Sequence, residues 1–342
     1  MRTPRPLRPA AGGLARRAVA AILVAALAAS LAGIALAQPP APVRVVATTA
    51  MVADMAREVG GGCVEVTALM GPGIDPHLYR ASAGDVDRLA RAELIVHNGL
   101  GLEGQLGAVL DRLGERIPTL ALAERVATAA ADRLLEGEDA YEGRPDPHLW
   151  LDAGLWSGGA VIMADAIAGL RPACRDDVHA RAGDYVALFD ALDAWAAASV
   201  ASVPTGHRTL VTSHDAFRYF GRAYGLEVHG IEGISTESEA SIADIRATAD
   251  LVVATGVPAI FVESTISPRT IEAVRAAVRD RGGDVAIGGS LYGDAMGEAG
   301  TAEGTIVGML RHNVVTVVTA LGGEVAPWPD PLTGWAQAWG LP

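Results

Sequence analysis

Three short stretches of the chain each bring one histidine to a turn beside other polar groups: Asp75-Pro76-His77, Asp146-Pro147-His148 and Thr212-Ser213-His214-Asp215. A fourth, Gly289-Ser290-Leu291-Tyr292-Gly293-Asp294, ends in a carboxylate. The intervals from one to the next are 71, 66 and 80 residues. Three imidazoles and one carboxylate are a ligand set for a transition metal. They would close a tetrahedral site on zinc, and a bidentate carboxylate would make a five-coordinate site acceptable to manganese. His77 and His148 both follow Asp-Pro, where proline fixes the backbone ahead of the imidazole. All three histidines fall where predicted strands meet loops, at the sheet edge where α/β proteins bind ligands. Gly293-Asp294 alone is ordinary turn chemistry; its claim rests on adding an oxygen to three nitrogens. The other five histidines, His97, His179, His207, His229 and His312, lack this context and read as ordinary polar side chains.

The elements that must position these groups alternate short β-branched runs with amphipathic stretches. Strands are expected over 43–48, 64–69, 94–97 and 118–122, with helices over 50–59 and 83–91, the latter opened by Ser82. The alternation restarts with strands over 209–212, 227–231, 259–263 and 285–288, and helices over 216–224, 242–255 and 269–281. Such alternation implies an α/β fold, with parallel sheets flanked by helices. The pattern divides the chain into an N-terminal α/β lobe over 38–178, a linking helix over 179–202 and a C-terminal α/β lobe over 203–342. A single long helix as the only connection is a stiff joint. Residues 125–146, Ala-rich and then acidic, read as a solvated loop.

Residues 1–37 read as a secretory signal. Arg2, Arg5, Arg8, Arg16 and Arg17 form a basic region, 18–35 an apolar run, and Ala35-Leu36-Ala37 a small-x-small cleavage site. Cleavage after Ala37 implies a periplasmic protein. The rival, a membrane anchor, is disfavoured by the alanine-rich run and the Pro39-Pro40 break that follows it at once. Of the 342 residues, 27 are basic, all arginine, and 40 are acidic. Removing the leader leaves 22 basic residues and a net charge of −18. That argues against nucleic acid or anionic membrane as a partner. Half the chain is hydrophobic and 5% aromatic, which suits small, closely packed elements. Cys63 and Cys174 are too far apart for a local CxxC site; a disulfide and a free buried thiol both remain open.

Two motifs imitate other chemistry. Gly99-Leu100-Gly101-Leu102-Glu103-Gly104 matches a dinucleotide fingerprint, but it follows the third strand of its half and sets Glu103 where a pyrophosphate would lie. Ser213-His214-Asp215 contains the members of a hydrolase triad, but consecutive side chains diverge and cannot hydrogen-bond in series.

Taken together, the motifs resemble the metal-binding solute-binding proteins of ABC transporters, the ZnuA-like and TroA-like family. The stretch 66–77, ending in Asp75-Pro76-His77, is similar to the first metal-ligand segment, and 146–152 to the second. Residues 210–217 with 233–241 are similar to the third, 293–297 to the fourth, and 98–103 to a further stretch typical of the family. The resemblance covers nearly all of the mature chain, in the family's order. It implies two lobes joined by one long helix, with His77, His148, His214 and Asp294 holding one Zn2+ or Mn2+ in the cleft between them. It also implies a membrane permease with its ATPase as partner, and no enzymatic activity; the binding protein is expected to act as a monomer. Members with glutamate at the third position look manganese-selective, so His214 leans towards zinc; the absence of histidine from 125–146 weakens that lean. Metal affinity is expected to fall below the ordinary histidine pKa of ~6.5, because the ligands must lose their protons. The competing reading is an exported zinc-dependent hydrolase, with Glu263 or Glu239 as base; their plainer roles are a strand-end partner and a first-turn acid. A surface adhesin is compatible with the same fold but has no residue to support it.

Overall fold

The computed structural model describes residues 1–3, 41–137 and 143–341. Apart from its first three residues, the expected leader lies outside them, as does 138–142 of the acidic stretch. The first half builds a four-stranded parallel sheet in the order β2-β1-β3-β4, from β1 (Val43–Ala47), β2 (Val64–Ala68), β3 (Leu94–His97) and β4 (Thr119–Ala121). Between the strands run α1 (Ala50–Gly60), α2 (Ala83–Ala90) and α3 (Gly107–Gly114). Ser82 caps α2 in a reciprocal capping box with Asp85. That fixes where the long turn carrying His77 must end.

Helices α4 (Leu122–Ala129), α5 (Ala153–Trp156) and α6 (Gly159–Leu170) complete this half. Among its described residues the expected loop over 125–146 contains regular structure: α4 covers its start, a 3-10 turn spans Ala131–Arg133, and Glu136 bridges Pro145. Leu122, Ala123, Val126 and Ala127 of α4 are buried, a 3.6-residue stripe that the alanine-rich composition disguised. No such stripe marks α6 in the sequence. Yet it packs by one face: Gly159, Ala160, Met163, Ala164, Ile167 and Ala168 are buried against α1, α4 and α7 (Arg175–Val200), while Val161 on the outer face is 48% exposed.

Helix α7 is the long helix, 26 residues and roughly 39 Å at 1.5 Å per residue. Asp176 and Asp177 lie in its first turn, where the helix dipole favours acids. Val178, Ala182, Tyr185, Phe189, Leu192, Ala196 and Ser199 repeat every three or four residues and are buried. They face α1 and α6 of the first half and α11 (Ile306–Ala320) of the second.

The second half holds β5 (Thr209–His214), α8 (Arg218–Tyr224), β6 (Glu227–Glu232), α9 (Ile242–Thr255), β7 (Ala259–Glu263), α10 (Arg269–Asp280) and β8 (Ala286–Leu291), with α12 (Thr333–Ala338) after α11. β5–β6 and β7–β8 are parallel ladders, and β7 runs beside β5. Every strand sends alternate residues to opposite faces, and the packing obeys that period of two. Val45, Leu94, Val96, Leu210 and Phe261 enter one core that runs through both halves and around α7. Their neighbours Val46 and Ile95 pack under α2 and α3, and Val211 and Ile260 under α9 and α10.

Cys63 and Cys174 are bonded, with Cα atoms 6.2 Å apart, and they staple the start of α7 to the entrance of β2. The bridge closes a loop of 111 residues. Replacing both cysteines by serine is expected to lower unfolding free energy by about 2–4 kcal/mol, read as a fall in the denaturant midpoint; an unchanged midpoint would show that the staple is energetically idle.

Candidate metal centre

Each of the four sequence-nominated residues reaches the same point. His77 lies in the turn between β2 and α2, His148 just before the 3-10 turn Leu149–Leu151, His214 at the last position of β5, and Asp294 three residues beyond β8. Three of these places are at or beyond the carboxyl ends of parallel strands, where an open α/β sheet leaves its binding crevice. One ligand atom from each residue lies within 4.8 Å of all the others. His77 Nε2 is 3.4 Å from His148 Nε2 and 3.5 Å from Asp294 Oδ2. His148 Nε2 is 3.2 Å from Asp294 Oδ1, and His214 Nε2 is 3.2 Å from Asp294 Oδ2. Ligands about 2.0–2.1 Å from a tetrahedral zinc stand roughly 3.3 Å from one another, so these edges match a metal polyhedron.

All four residues are at most 2% exposed. Both oxygens of Asp294 and Nε2 of His214 have no aligned hydrogen-bond partner. Buried polar atoms without partners are costly, and here they point at one another around a common centre. The arrangement is what a cation would satisfy.

The two Asp-Pro-His sequences fold alike. Asp75 Oδ1 accepts the His77 N–H at 2.8 Å, and Asp146 Oδ1 accepts the His148 N–H at 3.0 Å. Each aspartate thus closes an Asx turn around the proline and aims the imidazole inward. Asp146 does more: its Oδ1 also lies 2.8 Å from His148 Nδ1, which turns Nε2 to the centre. Thr236 Oγ1 donates to Asp75 Oδ2 at 2.6 Å, and this contact ties 233–241 to the His77 turn.

The glycine-rich stretch after β3 is a support for this site. Gly99 and Gly101 have φ of 83° and 85°, a conformation that favours glycine. The turn folds back so that the Glu103 carboxylate accepts from Asn98 N at 2.7 Å, Gly99 N at 3.1 Å and Thr48 Oγ1 at 2.7 Å. The amides that a phosphate would need are taken by the chain's own carboxylate. Asn98 Nδ2 then holds Pro147 O at 3.1 Å and steadies the His148 turn.

Segments from the two halves are stitched together around His148. Trp150 Nε1 donates to Gly293 O at 2.8 Å, Tyr219 OH to Asp146 O at 3.1 Å, and Arg218 Nη1 to Glu136 O at 2.8 Å. Arg222 of α8 reaches Asp152 Oδ2 at 3.1 Å and the Arg133 carbonyl.

Burial and charge divide the ligands. Burial opposes a charge on His148, but Asp146 and then Asp294 prevail and raise its pKa to about 9. On His214 burial is likewise overcome, by Glu263 and Asp294, and its pKa lies well above the ordinary value. Burial lowers His77 to about 3, against the pull of Asp294. Asp294 is held well below the usual carboxylate range because His214 and His148 outweigh its burial. Of the two acids weighed as bases, Glu263 is buried against His214, whereas Glu239 is exposed and lines a cavity of about 360 Å³ with Asp75 and Glu232. Of the plainer roles, the strand-end partner fits Glu263, and its partner is His214, which only the adjacency of β5 and β7 brings to it.

Comparison with known proteins agrees with the geometry. The family model for the periplasmic zinc-uptake complex component A, ZnuA, matches residues 45–320. The zinc-binding protein TroA of Treponema pallidum is 45% identical over 278 residues, 81% of this chain and 88% of that protein. The manganese-binding lipoprotein MntA of Bacillus subtilis is 41% identical over 279 residues, 81% of this chain and 89% of its own length. The manganese ABC transporter substrate-binding lipoprotein PsaA of Streptococcus anginosus is 27% identical, covering 81% and 89%. The solved structure of the periplasmic zinc-binding protein TroA superposes with a TM-score of 0.78 at 44% identity, over 82% of this chain and 99% of that one. The chain therefore belongs to the ZnuA family, whose members are metal-binding substrate-binding proteins of transporters and not enzymes.

Proposed function

We propose that the chain is an extracytoplasmic solute-binding protein that captures one divalent transition metal, zinc or manganese, on His77, His148, His214 and Asp294, and delivers it to an ABC permease for import. The observation that carries this is the convergence of four buried, lone-pair-bearing side chains whose ligand atoms all lie within 4.8 Å of one another. The ATPase of the transporter supplies the energy, and the binding protein acts as a monomer in the periplasm after cleavage at Ala37. One relative is a zinc binder and another a manganese binder, so the family position alone does not choose between the two ions.

Ligands from both halves make metal binding and closure of the lobes one event. The stiff α7 and the contacts around His148 restrict that event. The His77 turn is tied to the second half as well, through Asp75 and Thr236. The hydrolase alternative is not supported: Glu263 is engaged by His214, and the family is one of transport proteins.

Metal content of the mature protein, purified without a His tag, followed by competition between zinc and manganese, tests the function. One equivalent of metal per chain is expected; a chain that binds neither ion would overturn it. His214→Ala is expected to lower zinc affinity at least about tenfold with folding intact. Unchanged affinity in the same competition would remove His214 from the ligand set.

A further inference from the structure

Glu263 ends β7 as His214 ends β5, and the two strands lie side by side. Its Oε1 accepts the His214 backbone N–H at 2.9 Å, and its Oε2 lies 2.8 Å from His214 Nδ1. One carboxylate thus grips both the backbone and the ring of the third ligand. Both side chains are fully buried. Oε1 alone satisfies the amide; Oε2 lies against Nδ1 at 2.8 Å, off the line of an N–H bond, and neither atom has another partner. The fourth ligand segment closes over the pair. A Cβ at Gly293 would stand 2.4 Å from Glu263 Oε2 and 3.5 Å from His214 Cε1, so the residue before Asp294 has no room for a side chain.

The other carboxylate behind a ligand, Asp146, arises from the local turn that presents His148. Glu263 comes from a strand 49 residues away. Its placement is not a by-product of chain connectivity. Burying a carboxylate costs several kcal/mol unless charge compensates it, and a metal-bound imidazole supplies that compensation.

Resting on the function proposed above, we propose that Glu263 is the positioning residue that makes His214 a fixed, strong nitrogen donor, and that it thereby biases the site towards zinc over manganese. The negative charge 2.8 Å from Nδ1 favours the tautomer with its proton there, which leaves the Nε2 lone pair for the metal and increases its donor strength. Zinc gains more than manganese from a better nitrogen donor, because zinc stands well above manganese in affinity for such ligands.

The test compares Glu263→Gln with the unaltered protein by competitive titration with zinc and with manganese, and by the visible spectrum of the Co2+-loaded forms. Glutamine keeps the shape and an acceptor for the His214 amide. Zinc affinity is expected to fall about 10–100-fold and manganese affinity less, with a change in the Co2+ bands. In a His214→Ala background the same substitution is expected to have no further effect on zinc. Glu263→Asp, which keeps the charge but withdraws it from the ring, is expected to lose zinc affinity too and covers the case in which the glutamine variant folds poorly. Unaltered zinc affinity and Co2+ spectrum, or an equal loss with and without His214, would overturn the inference. Failure of the unaltered chain to bind either ion would instead defeat the functional proposal beneath it.

Discussion

Asp294→Ala is expected to lower zinc affinity by on the order of a hundred- to a thousandfold. Structural zinc sites are worth about 10–16 kcal/mol over four ligands, or roughly 3 kcal/mol each. Asp294 should lie at the upper end. It is the one anion among the four ligands, and its two oxygens face all three imidazoles. Its loss removes both a donor and the negative charge that offsets the cation. The direct readout is competitive titration. A second is thermal: a ligand at a thousand times its Kd stabilises the folded state by about 4 kcal/mol, so the wild type gains several degrees in Tm on zinc addition. The variant at the same zinc concentration should gain at most about a third of that. Wild-type affinity in Asp294→Ala would remove the residue from the ligand set and break the match between the observed edges and a metal polyhedron.

How much of this was legible in the sequence follows from the range of each signal. The four residues that converge were legible as candidates because each lies in a local motif: two Asp-Pro-His turns, a strand-end Ser-His and a Gly-Asp turn. Helix α9 was legible to the residue, since Ser241 caps it and Gly256 closes it in the left-handed conformation. The parallel α/β class followed from the alternation of strand and helix. What was not legible depends on contacts between distant segments. The pairing of Glu263 with His214 requires knowing that β5 lies next to β7, and the disulfide requires the 6.2 Å approach of residues 111 apart. The outer face of helix α6 carries Val161 and Gly169 beside a single charge, Asp165, so its period is hard to read. The dinucleotide-like glycines could be doubted from Glu103 alone, but their role as the support of the His148 turn appears only when Asn98 is seen to reach Pro147.

The second large effect is in pH. The sequence-level expectation set the fall in metal affinity near the ordinary histidine pKa of ~6.5; the structure moves it upward. Asp146 and Asp294, working against burial, raise His148 to about 9, and Glu263 with Asp294 raises His214 as well. His77, lowered to about 3 by burial, carries no proton at neutral pH. At pH 7 the metal must therefore displace about two protons, one from each raised histidine. Calorimetry of zinc binding in two buffers of different protonation enthalpy should give that number, and the logarithm of the affinity should rise with pH until His148 has lost its proton near pH 9. The metal-free protein should show the opposite trend. The raised pKa of His148 contributes stability that is fully present below about 6.5 and is lost as pH rises through about 9, and His214 adds to it in the same direction. Asp54, buried in α1 and raised by that burial to about 7, loses its own proton lower in this range, so scans between about pH 7.5 and 9.5 isolate the histidines. In that window the Tm of the metal-free protein should fall, while zinc affinity rises. A single divalent cation then replaces two protons with no change in the charge of the buried cluster, which removes the main electrostatic obstacle to filling so dry a site. Release of no protons at pH 7 would mean that the raised histidines are neutral before metal arrives, and that the cluster takes up the full charge of the ion.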